Sequence, residues 1–127
     1  HARVRSLLRK AEAAGLPASD AALQGAELSA LGHDAELALA RKIAEWPRLV
    51  EIAAKSCEPH RVAFYLYDLA SELHALWNRG HDEPALRFLQ EEDPAGSAAR
   101  LALARASGVV ISAGLGILGV TPVEEMR

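Results

Sequence analysis

Cysteine is nearly absent from this 127-residue sequence, where Cys57 stands alone. A single thiol excludes an internal disulfide framework and a cysteine-based metal site, and points to a reducing compartment, the cytoplasm by default. Strand-favouring runs of Val, Ile, Thr and Tyr are also scarce, while Ala and Leu, the best helix formers, dominate the hydrophobic half of the chain. That balance excludes a sheet protein and predicts an all-α fold. No long apolar run occurs either. The longest, Gly108 to Val120, is interrupted by glycine and falls short of the roughly 20 residues that span a bilayer as a helix, so no membrane role is expected. Excess positive charge is missing as well: the formal net charge is −3 and the pI near 5.9, without the overall basic footprint of a nucleic-acid module. Charge is nevertheless unevenly spread. Arg3, Arg5, Arg9 and Lys10 crowd the first ten residues, and acids gather between Asp20 and Glu58 and between Asp82 and Asp93.

What is present is helical periodicity, in a length suited to one domain. The opening "HARVRSLLRK" already reads as the middle of a helix, with neither an initiator Met nor a capping residue, so the chain reads as cut from something larger. Val4, Leu7, Leu8 and Ala11 form its apolar stripe, and Gly15 is placed to end it. Residues 15–33 have no clear period and are expected to form an irregular loop holding at most a turn of helix. Asp34 is the expected N-cap of a second helix and Pro47 lies in the first turn of a third. A fourth should run from about Pro59 to Asn78 and stop at Gly80, followed by a short helix at Pro84 and an acidic break, "QEEDPAG". The fifth should begin near Ser97 and end around Gly119 before Pro122. Residues 1–14 would be a linking helix and residues 34–127 the rest of an α-bundle that has about five main helices in all, with no internal repeat.

Aromatics are only 5% of the chain, yet "HRVAFYLYDLASELHALWN", residues 60–78, holds both tyrosines, one tryptophan and one phenylalanine. Val62, Leu66, Leu69, Leu73 and Leu76 alternate spacings of 4 and 3, the pattern of a core seam. Tyr67, Ser71, His74 and Asn78 form a second row at i, i+4, i+7 and i+11. An aromatic, a hydroxyl, an imidazole and an amide in one row can stack on a planar group and hydrogen-bond its edges, as readers of single-stranded RNA do. The same row also suits a boundary stripe, in which Tyr and His pack an apolar body and keep a polar tip wet.

Other candidates carry less. The histidines lack the partner spacing of a metal-ligand pair, so no metal site is expected. Cys57 near His60 has a proline between and no third orienting group, which reads as a buried structural cysteine. "GLGILG", Gly114 to Gly119, follows a helix rather than a strand and has no Lys-Ser/Thr partner, so close helix packing explains it better than phosphate binding. No catalytic constellation emerges, and the chain reads as a binding module without catalytic residues or a cofactor of its own.

Taken together, the segments resemble the C-terminal (DALR-type) anticodon-binding domain of arginyl-tRNA synthetase, a class I aminoacyl-tRNA synthetase. "HARVRSLLRK" is similar to the family's Tyr-Ala-His-Ala-Arg-containing helix. Pro59, His60, Arg61, Tyr65, Leu66, Leu69, Ala70, His74, Trp77 and Asn78 match its central helix. Arg100, Leu101, Leu103, Gly114, Leu115, Leu118, Gly119, Pro122 and Met126 match its Arg-Leu-x-Leu, Gly-Leu, Leu-Gly and Pro-x-x-Met ending. Leu73, Trp77 and Ser97 depart from the usual Phe, Tyr and Arg, the last removing a possible phosphate contact. The resemblance implies an all-α bundle that grips the anticodon stem and loop of arginine tRNA, in a cytoplasmic parent that joins arginine to that tRNA with ATP and magnesium. The nucleotide-binding signatures of the catalytic domain are not in this chain, so by itself it is not expected to aminoacylate. The implied contacts are Arg61 and the Tyr67, Ser71, His74, Asn78 row, with phosphates met by Arg100 and Arg105 and by the basic faces of helices one and five. The implied partners are arginine tRNA and the catalytic domain of the same polypeptide, with neither DNA nor membrane. A helical protein-interaction or scaffolding module is the competing class, favoured by the acidic pI.

Overall fold

A computed structural model describes residues 1–125; Met126, part of the family-like ending, lies outside the described residues. The order is α1 (Ala2–Ala13), α2 (Asp20–Gln24), a 3-10 turn (Leu28–Ala30), α3 (Asp34–Ala44), α4 (Trp46–Ser56), α5 (His60–Asp82), a 3-10 turn (Pro84–Leu86) and α6 (Pro94–Ile117). No strand occurs among the described residues, and five of the helices are long, as the all-α reading expected.

α5 and α6 form the centre, with α3 and α4 against α5 and α1 and α2 against α6. Val62, Leu66, Leu69, Leu73 and Leu76 are all buried, and Leu69 and Leu76 have no exposed surface at all. Each such leucine contributes about 1.5 to 3 kcal/mol by leaving water. α6 meets its neighbours through small residues. A Cβ on Gly114 would lie 2.6 Å from Leu66 Cδ2, and one on Gly108 would lie 3.2 Å from Val4 Cγ1. By length and composition α6 could cross a membrane, with a mean hydropathy of 1.3 in its best window, yet half of that window is buried inside the bundle.

Several boundaries differ from the sequence reading, each for a local reason. Residues 15–33 hold α2, capped by Ser19 Oγ accepting from the Ala22 amide at 3.2 Å, and a 3-10 turn. α3 is capped by His33 rather than Asp34: His33 Nδ1 accepts from the Ala35 amide at 3.1 Å, and Glu36 Oε1 accepts from the His33 amide at 3.2 Å. α5 runs on through Gly80 to Asp82. Gly80 is a packing glycine, because a Cβ there would lie 3.3 Å from the Arg87 Cα. α6 starts at Pro94, earlier than Ser97, since Asp93 Oδ1 accepts from the Gly96 amide at 3.1 Å and Pro94 occupies the first turn. Ser97 is instead fully buried, donating to the Gln90 carbonyl at 2.8 Å and accepting from the Gln90 amide at 2.7 Å, which pins the acidic connection onto α6.

Cys57 is exposed, not buried, and closes α4 in the left-handed conformation at φ 54°. The Glu58 amide donates to the Ala53 carbonyl at 3.0 Å and the Cys57 amide to Ala54 at 3.3 Å, the double bond pattern that ends a helix with a left-handed residue.

Candidate nucleic-acid interface

α5 presents its leucine seam to the core, so the opposite side must face water, and that side carries the row. Tyr67, Ser71, His74 and Asn78 are all exposed, Tyr67 to 74%. Side chains at these spacings stack along about 16 Å of helix. The two tyrosines separate cleanly. Tyr65 is buried, stacks on Trp46 with centroids 5.5 Å apart, and donates its hydroxyl to the Lys42 carbonyl. Burial, with Glu45 nearby, pushes its phenol up to about 12. Tyr67 is the aromatic offered to solvent. Phe64, one turn before it and 67% exposed, is a second, with His60 edge-on at 5.8 Å. It was not among the expected contacts, although its place outside the leucine seam and three residues from Tyr67 could have signalled it.

The row is closed on one side by α1. Arg3 Nη1 lies 3.1 Å from His74 Nδ1, and its guanidinium sits over the Trp77 ring at 5.2 Å from the centroid. Trp77 also packs against Phe88 at 5.1 Å, so it is held in place rather than presented. Beside it, α1, the end of α5 and the segment after Pro84 enclose a cleft of about 250 Å³ lined in part by Lys10, Trp77, His81 and Arg87. Arg87 Nε donates to the Gly80 carbonyl at 3.0 Å. Lys10 lies on the basic face of helix one that the sequence reading expected, whereas His81 and Arg87 were not singled out for this surface. The three come from three elements far apart in the chain, and only the fold brings them to Trp77.

The remaining cations divide sharply. Arg5 pairs with Glu124 at 2.7 Å, Arg61 with Glu58 at 3.0 Å and Lys42 with Glu45 at 3.3 Å. Arg105 is paired with Asp20 at 2.8 Å; its hydrogen bond lowers the Asp20 carboxyl below the usual range and raises Arg105. Glu58 is lowered likewise, chiefly by the hydrogen bond from Arg61. Arg3, Lys10 and Arg87 have no acidic partner among the described residues. Arg41, Arg48 and Arg79 have none either, but Arg3, Lys10 and Arg87 are the three that lie around Trp77.

Arg100 requires a correction. It is buried, with Nε 2.9 Å from Glu36 Oε2 and Nη1 3.8 Å from Asp93 Oδ2, so its charge is paired inside the fold and not offered at the surface as a phosphate contact requires. Since Arg105 also faces a carboxylate, α6 has no basic face of the expected kind. On α1 the basic face survives through Arg3 and Lys10.

Helices packed around a central α5, with an open ridge of aromatic and hydrogen-bonding side chains beside a basic cleft, define a helical binding module. Over residues 1–126 the sequence matches the family model described as the DALR anticodon binding domain, and the chain belongs to that family. It is 71% identical over 126 residues to an arginine–tRNA ligase of Paracoccus denitrificans, covering 99% of this chain and 22% of that protein. Against the arginine–tRNA ligases of Cereibacter sphaeroides strain KD131 and Ruegeria pomeroyi it is 69% and 65% identical over 127 residues, again spanning 22% of each. The chain thus spans about a fifth of the length of these curated relatives. No solved structure matches it.

Proposed function

We propose that this chain binds the anticodon stem and loop of arginine tRNA as the C-terminal domain of a cytoplasmic arginine–tRNA ligase, whose catalytic domain lies elsewhere in the same polypeptide and attaches arginine using ATP and magnesium. The observation that carries this reading is the meeting of an exposed Tyr67, Ser71, His74, Asn78 ridge with Arg3, Lys10 and Arg87, three cations around Trp77 that have no acidic partner among the described residues. Cations fix the backbone, an aromatic stacks an unpaired base, and amide or imidazole groups read its edge.

The test is a titration of arginine tRNA, and of the same tRNA with a substituted anticodon, at several salt concentrations. Three phosphate contacts predict a slope of log K against log salt of about −2 to −3, together with weaker binding of the substituted tRNA. Equal and negligible binding of both would instead support a protein-interaction module.

A further inference from the structure

Arg3 fixes more than the position of Trp77. A guanidinium has N–H donors and no acceptor, so in the 3.1 Å contact with His74 the Nδ1 atom must receive the bond and carry no proton. In a neutral imidazole the proton then belongs to Nε2, on the far side of the ring from Arg3. His74 is exposed, and no described residue accepts from Nε2.

We propose that Arg3 is a positioning residue that locks His74 in the Nε2–H tautomer, and that this N–H donates to an acceptor atom of the bound RNA. The proposal rests on the assignment of the α5 ridge to RNA. The acceptor is a phosphate oxygen or the carbonyl oxygen or ring nitrogen of an unstacked base. In the other tautomer His74 would turn a lone pair toward the same atom and repel it. Stacking and donation are thereby divided along α5: Tyr67 offers a ring face, and His74, two turns on, offers one directed proton. Trp77, covered by the guanidinium, acts as the wall against which Arg3 is held.

Nitrogen-15 NMR of the chain without RNA reads the tautomer directly. A bare Nδ1 and protonated Nε2 are expected for His74, with mixed tautomers in Arg3→Ala. Titration with the anticodon stem-loop of arginine tRNA then tests the donor. His74→Gln can place an amide N–H near the Nε2 position and should bind nearly as the parent does, whereas His74→Asn, reaching only the Nδ1 position, should lose roughly fivefold. Arg3→Ala should also weaken binding, but not when introduced into His74→Gln, where no tautomer remains to be set. Methylphosphonate linkages and abasic positions in the loop separate the two acceptor sources: the His74→Asn loss disappears with whichever substitution removes the acceptor. A protonated Nδ1, equal losses for Gln and Asn, or an undiminished Arg3 effect in His74→Gln would overturn the proposal while leaving RNA binding intact. Failure of the unmodified chain to bind the stem-loop would overturn both.

Discussion

Residues of like type meet opposite fates in this fold, and Arg100 is the sharpest case. In sequence it is one arginine among several on a helix; in the structure its guanidinium reaches a Glu36 that is only 2% exposed. Removing one partner of a buried pair leaves an uncompensated charge, so Glu36→Ala should destabilise the chain by about 3 to 5 kcal/mol in urea unfolding. Replacing both residues by leucine should recover most of that loss. Tyr65 and Tyr67 diverge in the same way, because positions two apart on a helix differ by about 200° and one lands on Trp46 while the other lands in water. Periodicity makes the leucine seam legible, but it does not say how wide the buried sector is, and Tyr65 lies at its edge. Tyr65 also gives a pH dependence. Its folded value stands near 12 against an ordinary 10, so the stability it confers is complete below pH 10 and is lost as the pH rises toward 12, where the unfolded chain ionises first. Urea midpoints across that window should fall more steeply for the parent than for Tyr65→Phe.

Helix ends were the most legible elements where a glycine does the ending. Gly15 and Gly119 sit at φ 82° and 77° and close α1 and α6 as expected. Both take the left-handed conformation that glycine enters without strain. α4 uses the same hydrogen-bond pattern with Cys57 in that place, a residue whose Cβ makes the conformation costly by about 1 to 2 kcal/mol. Cys57→Gly should therefore raise stability by about 1 kcal/mol, measured by thermal melting; no change or a decrease would show that the strain is absent. Gly80 misled the reading because glycine serves close packing as well as termination, and nothing in the local sequence distinguishes the two. Gly114 is packed more tightly still. Gly114→Ala should destabilise by about 1 to 3 kcal/mol, since its new methyl would meet Leu66 at 2.6 Å. The five-residue α2 is the turn of helix allowed for within residues 15–33, but it is too short to show a period, so its place could not be read.

The whole molecule reconciles an acidic total with a basic site. A net charge of −3 argued against nucleic acid, but the total counts acids that are already paired with Arg5, Arg61, Arg100 and Arg105. What an RNA on the ridge would meet is a local group of cations without acidic partners among the described residues, Arg3, Lys10 and Arg87 around Trp77, drawn from α1 and from the segment after α5. That juxtaposition depends on long-range packing and could not be read along the chain, whereas the Tyr67 row, set by one helix's geometry, could. The central claim is that this ridge contacts RNA, and stacking on Tyr67 is its most specific consequence. The direct measurement is the affinity of arginine tRNA for Tyr67→Ala, with Val109→Ala, an exposed apolar position on α6, as the comparison. The account predicts a loss of about 1 to 3 kcal/mol for Tyr67→Ala and none for Val109→Ala. Equal affinities for the parent and both variants would contradict it.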